Sequence, residues 1–419
     1  MMDYKKRESI LCIDLKSFYA SCSCIKRGLD PLTTYLAVVG ATDRQGSVVL
    51  AATPLMKQKY RIKTGSRLFE IPQHKEIHIV NAEMKYYLDM SMAVTKILHR
   101  FASREDLHIY SIDEAFIRVN PVERIFGDKW SIARRIKTEI FEELGLTVAI
   151  GIGENMLLSK LCLDLEAKKT TEGIAEWTYE SVPQKLWPVT PLSEMWGIGK
   201  KTQNTLNRMG IVKVGDLAHY PLELLEKNFG IMGNQLYYHA HGIDHSDLGA
   251  PIMMGQISFG KSQILLRDYS DKEEVKHVIL EICEEIARRT RSARKAGRTI
   301  NLGIGYSKDS FGGGFNRSKT IDQPTNITMD VYKVCLELFE KFYNGDVVRS
   351  IDVRLLNIVD DSEIQLSLFD LDNPKRSRLG YTMDEIRRKH GSASLLRGVS
   401  FTQAGTAIHR SKLIGGHKG

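Results

Sequence analysis

The sequence predicts a multidomain protein of mixed α/β and α+β class, and three observations predict it. Its 419 residues exceed what one hydrophobic core ordinarily serves, so three or four domains are expected. Apolar runs of strand length alternate with helical patterns over residues 1–174, and an all-helical stretch follows. Residues 255–359 then read strand–helix–strand twice, as a compact α+β domain. Composition is that of a soluble globular chain, 42% hydrophobic and 26% charged. No stretch approaches the roughly 20 apolar residues of a membrane span. The start, MMDYKKRESI, lacks the long apolar core of a signal peptide. Six cysteines without zinc spacing read as reduced thiols, and a cytoplasmic location with no membrane partner is expected.

Taken in order, Ile10 to Ile13 form a buried strand that ends at Asp14. Residues 18–83 leave that sheet as an insert of short strands, with GSVVLAAT and the basic stretch KQKYRIKTG. The chain returns from about Met84 in a helix to Arg104, and then IYSIDEAFIRV places Asp113 and Glu114 side by side. Helix SIARRIKTEIFEEL, strand TVAIGIG and helix LLSKLCLDLEAKK complete this part, so the boundaries fall at 1–17 and 84–174. Residues 175–242 are helical, 243–254 read as a linker, and 360–419 read as a polar tail.

Asp14, Asp113 and Glu114 carry the chemistry. Three acids in apolar, strand-like sequence are costly to bury without a partner, and a hard divalent cation is the usual remedy. Two such cations, roughly 3.5–4 Å apart, are a recurring device for phosphoryl transfer. Neighbours on a regular strand point to opposite faces. Asp113 and Glu114 therefore reach one cluster only if the chain turns or bulges there, as a tight hairpin with SIDE at its tip allows. The plainer alternative makes them solvated turn acids and Asp14 a helix cap.

Net charge is +8, and residues 255–319 hold 13 Lys/Arg against 8 Asp/Glu. The run RRTRSARKAGR, with Arg288, Arg289, Arg291 and Arg294, reads as a solvated helix face or a phosphate-tracking patch. In GIGKKTQNTL, Gly197, Gly199 and Lys200 open a helix whose backbone N–H groups suit a phosphate. The pattern matches a helix-hairpin-helix, which grips a DNA backbone without reading sequence. Gln365-Leu366-Ser367-Leu368-Phe369 is an apolar patch in a polar tail, as expected of a docking peptide.

With DLKSFYAS, YSIDEAF, the glycine-opened helix and QLSLF in this order, nearly the whole chain resembles the Y-family translesion DNA polymerases, on the UmuC-type branch. The resemblance implies a right-hand polymerase with palm, small fingers (18–83), helical thumb (175–242) and C-terminal little finger (255–359). It implies template-directed, low-fidelity synthesis in DNA repair and the SOS response. Two Mg²⁺ ions, for which Mn²⁺ can substitute, would be held by Asp14, the Leu15 carbonyl, Asp113 and Glu114. Tyr19 matches the steric gate against a ribose 2′-hydroxyl, with Phe18 beside it, counted with the nucleotide pocket and read as packing. Lys168 matches the lysine that reaches the triphosphate, though the spacing from Lys160 leaves Lys169 open. In the fingers the chain departs from the family's usual Tyr and Arg, placing Leu55 and Gln58 there, so Lys57 and Lys59 are the candidate phosphate contacts. Small Ala51, Ala52 and Thr53 stand where the fingers cover the nascent pair. Implied partners are primer–template DNA, dNTPs and the sliding clamp, through Gln365, Leu366, Leu368 and Phe369. A recombinase filament or an accessory subunit is a candidate further partner. The Leu55 and Gln58 departure motivates an alternative, a catalytically weak DNA- and clamp-binding module.

Overall fold

The computed structural model describes residues 7–249, 258–307, 312–363 and 372–418, which fall into two compact units, 1–252 with 417–419, and 253–416. Among the described residues no helix is long and apolar enough to cross a membrane.

In the first unit, β1 (Ile10–Leu15) runs into α1 (Phe18–Ile25) through Ser17, whose φ of 50° is left-handed. The insert follows as β2 (Tyr35–Val39), β3 (Val49–Ala52), α2 (Pro54–Tyr60) and β4 (Ile77–Asn81). Its sheet has the order β3-β2-β4 and closes its own small core around Ala37, Val49, Met56 and Leu68. The chain returns with α3 (Met84–Leu98), β5 (Leu107–Ile109), β6 (Glu114–Arg118), α4 (Glu123–Phe126) and α5 (Lys129–Leu144). Then come β7 (Val148–Gly153), α6 (Met156–Leu165) and β8 (Ile174–Trp177). The five-stranded sheet has the order β5-β6-β1-β7-β8, which puts the acid-bearing strands at its centre. One face packs Leu11, Ile13 and Ile117 with residues of α3 and α5, and the other packs Ile10, Cys12 and Phe116 with α6.

The approach of α6 to β7 is unusually close. A Cβ on Gly151 would strike the backbone of Ser159 and Leu163, and one on Gly153 the backbone of Leu158 and Ser159. Glycine is required because two backbones meet there. The helix ends at Leu165, short of the expected end at Lys169, because Glu166 leaves helical geometry at φ −126° and ψ −61°. Its carboxylate accepts from Trp177 Nε1 and Lys185 Nζ, and a short turn, Ala167–Lys169, carries Lys168 back toward the sheet.

Short helices follow: α7 (Val182–Lys185), α8 (Lys200–Arg208), α9 (Val214–Ala218), α10 (Leu222–Phe229) and α11 (Ile231–Ala240).

The second unit reads β9 (Ser258–Tyr269), α12 (Lys272–Ser292), β10 (Lys295–Tyr306), β11 (Gly314–Thr325), α13 (Thr328–Phe342) and β12 (Val348–Asp360). This is the repeated strand–helix–strand that the periodicity predicts, in the sheet order β11-β10-β12-β9. Val275, Ile279, Ile282 and Ile286 of α12 and Val331, Cys335 and Phe339 of α13 share one core with the sheet.

The stretch read as a polar tail is not loose throughout. It contains α14 (Asn373–His390) and α15 (Ala407–Arg410), folded back on α12 by buried ion pairs. The peptide Gln365–Phe369 lies outside the described residues.

Candidate active site

β1 and β6 pair antiparallel with Asp14 opposite Glu114, so both carboxylates leave the same face of the sheet, the one covered by α6. Asp113 stands just before β6 at the hairpin tip. There the Glu114 carbonyl accepts from both Tyr110 N and Ser111 N, at 3.0 Å each, and Leu15 N donates to the Asp113 carbonyl at 2.9 Å. Ser111 Oγ donates to Asp113 Oδ1 at 2.6 Å. The turn expected at SIDE is present. Burial raises the Asp14 carboxyl above its ordinary value, Asp113 and Glu114 push the same way, and Lys168 opposes them.

Each central acid is met by a lysine. Lys168 Nζ donates to Asp14 Oδ2 at 3.0 Å and to Asp164 Oδ1 at 2.8 Å. Lys160 Nζ donates to Glu114 Oε2 at 2.8 Å and lies 2.9 Å from Asp164 Oδ2. The other Glu114 oxygen faces Cys12 Sγ at 3.2 Å. Burial works against both ammonium groups, yet their acid partners outweigh it and raise both. Burial likewise pushes Asp164 up, and the two lysines outweigh it and hold that carboxyl low. Lys168, rather than Lys169, is the lysine brought to the acids.

Lys57 donates to Ser17 Oγ at 2.8 Å. Burial lowers it, and Lys168 and Lys16 push the same way against the attraction of Asp14, which places it at this site. Lys59 is not there. Two residues along a helix point to different sides, and its ammonium lies over the rings of Tyr35 and Tyr60, at 4.7 and 5.2 Å. Gln58 is exposed and Leu55 half-buried on the same helix.

Tyr19 lies on α1, and its ring stacks on Tyr87 at 4.5 Å and 15°. Burial, and then the charge of Asp113, raise its hydroxyl. Phe18 is only 3% exposed and belongs to the core, so its place with the nucleotide pocket is corrected to packing.

Gly197 takes a left-handed φ of 91°, and Gly199 precedes α8, whose N-terminus has no side-chain cap. Lys200 is exposed there. The basic run divides. Arg294 is exposed, Arg288 is half-buried, and Arg289 spends a guanidinium N–H on the Gly260 carbonyl at 2.9 Å. Arg291 is corrected outright. It is 1% exposed and bonds Asp384 Oδ2 at 2.7 Å, Asp384 Oδ1 at 3.1 Å and the Asn326 carbonyl at 2.7 Å. A guanidinium so enclosed cannot reach a phosphate.

Sequence reasoning missed Lys160, Asp164, Cys12 and Tyr87 as parts of the site. A signal for two of them was present, because Lys160, Asp164 and Lys168 recur every four residues, the spacing that puts side chains on one side of a helix.

Among the described residues no three acid, histidine or cysteine side chains stand together as an ion-holding group. Asp14 and Glu114 are turned onto lysines and Asp113 onto Ser111. The donor chemistry still fits a hard divalent cation, since Asp14 and Glu114 stand opposite one another on β1 and β6 with Asp113 at the adjoining tip, and all three offer carboxylate oxygens.

Sheet, helical region and α+β unit are the parts of a DNA polymerase fold, and relatives named DNA polymerase IV, matched over nearly their whole length, make the chain a DNA-directed DNA polymerase. The description "impB/mucB/samB family" matches residues 13–164, its C-terminal domain matches 256–368, and "DNA polymerase-iota, thumb domain" matches 193–244. The chain is 61% identical to UvrX of Bacillus subtilis (strain 168), whose name refers to UV-damage repair, over the full length of both. It is 37% identical to DNA polymerase IV 2 of the same organism, covering 98% of this chain and 99% of that one. A solved Y-family DNA polymerase chimera shares the fold at TM-score 0.67 and 22% identity, over 84% of this chain and 99% of that one. The chain belongs to the impB/mucB/samB family of Y-family DNA polymerases.

Proposed function

We propose that the protein carries out low-fidelity translesion synthesis at damaged, notably UV-damaged, templates, as part of a cytoplasmic SOS-type response. The observation that carries this reading is the cross-strand pairing of Asp14 with Glu114, with Asp113 at the adjoining tip and Tyr19 on the helix that follows. Asp14, Asp113, Glu114 and the Leu15 carbonyl would hold two Mg²⁺, or Mn²⁺ in their place. When bound, such ions supply Lewis acidity to the primer 3′-hydroxyl and charge neutralisation to the leaving pyrophosphate.

The protein's own residues do the rest. Lys168 and Lys57 present ammonium groups toward the position of a triphosphate. The Tyr19 ring, held by its stack on Tyr87, occupies the space that a ribose 2′-hydroxyl would need. Of the small residues expected over the nascent pair, Ala52 and Thr53 are instead fully buried in the insert, Thr53 Oγ1 bonding Leu36 N and the Thr34 carbonyl, which leaves only Ala51, 8% exposed, for that place. Gly197, Gly199 and Lys200 offer an uncapped helix N-terminus to the DNA backbone, and Arg288 and Arg294 add charge on the second unit. Gln365, Leu366, Leu368 and Phe369 would dock on a sliding clamp and raise the local concentration of a weak DNA binder. A recombinase filament or accessory subunit remains a candidate partner.

Leu55 and Gln58 favour a second reading, a DNA- and clamp-binding protein with negligible catalysis, because neither offers charge to a phosphate. Primer extension on undamaged and UV-damaged templates, with Mg²⁺ or Mn²⁺, separates the two. Extension by the wild type that is abolished by Asp113→Ala, with DNA binding intact, is the expected result. No extension with either metal would favour the second reading, and undiminished extension by the variant would remove Asp113 from the mechanism.

A further inference from the structure

Five charged side chains alternate in sign across the site. In order they are Asp14, Lys168, Asp164, Lys160 and Glu114, with successive contacts of 3.0, 2.8, 2.9 and 2.8 Å. Asp164 stands in the middle and touches both lysines, one through each carboxylate oxygen. Its position on α6 is fixed by the glycine-dependent contact of that helix with β7. Resting on the reading that Asp14 and Glu114 hold divalent cations, we propose that Asp164 is a positioning residue. It sets how tightly Lys160 and Lys168 hold those acids, and so how readily the lysines yield them.

The physics is competition for lone pairs. An ammonium has three donors and no fixed fork, so it can exchange partners without moving its stem far. With Asp164 present, each lysine keeps an anionic partner when its catalytic acid turns to another cation. Lys168 then remains beside the site, with donors free for a triphosphate. Without Asp164, Lys160 and Lys168 have only Glu114 and Asp14 to pair with, and the cluster also loses one negative charge. Both consequences weaken divalent-cation binding. Loss of Lys168 acts the other way, because it removes a competitor and a positive charge. A merely structural Asp164, serving as a helix i,i+4 partner, would affect folding and leave cation affinity alone.

The test is Mn²⁺ titration of the full chain, without DNA or nucleotide, read from the free Mn²⁺ signal by electron paramagnetic resonance. Asp164→Asn raises the Mn²⁺ Kd by about fivefold or more, and Asp164→Glu restores most of the loss. Lys168→Met lowers the Kd by a comparable factor, while raising the KM for dNTP in primer extension. A wild-type Kd in Asp164→Asn, or a Kd that moves the same way in Asp164→Asn and Lys168→Met, overturns the proposal. Lys168 lies partly exposed, so its variant stays informative even if Asp164→Asn fails to fold. Asp14→Asn separates the two levels. If it leaves Mn²⁺ binding untouched, the metal reading of the site fails and the role of Asp164 with it. If it abolishes binding while Asp164→Asn does not alter it, only the role of Asp164 fails.

Discussion

Two ionic networks, one in each unit, hold buried acids by different means. In the first unit Asp14 and Glu114 are met by the single ammonium groups of Lys168 and Lys160. In the second, Glu284 takes Arg387 Nη1 at 2.8 Å and Arg397 Nε at 2.5 Å, while Asp384 takes two guanidinium nitrogens of Arg291. Glu281 accepts from Thr406 N at 2.8 Å, Thr406 Oγ1 at 2.7 Å and Ala407 N at 3.1 Å. An arginine fork fixes direction as well as charge, whereas a lysine supplies a charge that can swing. The arginine network pins α14 and α15 to α12, whereas the lysine network holds its two acids through single ammonium groups. The opposite shifts of two acids express the same difference. Asp14 is raised by burial, whereas Glu284, which burial also pushes up, is brought below its ordinary value by Arg387 and Arg397.

The largest expected effect is on catalysis. Asp14→Asn should cut primer extension by at least about a thousandfold, in line with loss of a group acting directly on transition-state charge. Because burial disfavours ionised Asp14 and Lys168 keeps Asp164 as a partner, the same change should not lower stability appreciably at neutral pH. A large loss of stability on denaturant titration would break the contrast between the networks. Arg291→Ala should cost about 3–5 kcal/mol in the second unit, since it removes both close guanidinium bonds of Asp384 and leaves that charge only the longer contact with Arg387 at 3.7 Å. Arg291→Lys should recover little of this. Limited proteolysis at α14 and denaturant unfolding check it, and full rescue by lysine would show that the fork geometry is unimportant.

The smallest effect is on pH dependence. The Glu284 contribution is fully present above its ordinary value, about 4.3, and is lost as pH falls through its depressed folded value. The Asp14 cost, in contrast, is present above its raised folded value and is relieved as pH falls toward about 3.9. Acidification should therefore loosen α14 while leaving the β1–β6 region protected, as hydrogen exchange can record. Simultaneous loss in both places would erase the distinction.

Much of this was legible in the sequence. The strand ending at Asp14, the SIDE hairpin and the repeated strand–helix–strand follow from short-range periodicity, which survives folding unchanged. Less legible was the fate of individual cations. Arg291 and Arg294 are three residues apart in one basic run, yet one is enclosed by Asp384 and the other is exposed, because the partner lies 93 residues away. Lys57 and Lys59 divide for a simpler reason, the turn of α2, which the sequence could have supplied. In the sequence Lys160 marks only a spacing to Lys168, because its significance depends on Glu114, 46 residues before it.

The folding back of α14 has a mechanical consequence. Asp360 closes β12 and Asn373 opens α14, and both belong to the second unit. A partner that pulled on the chain between them would load two anchors at once, one through the β12 ladder and one through Arg291 and Glu284 into α12. Tension there would be borne by the core of the unit rather than by a free end.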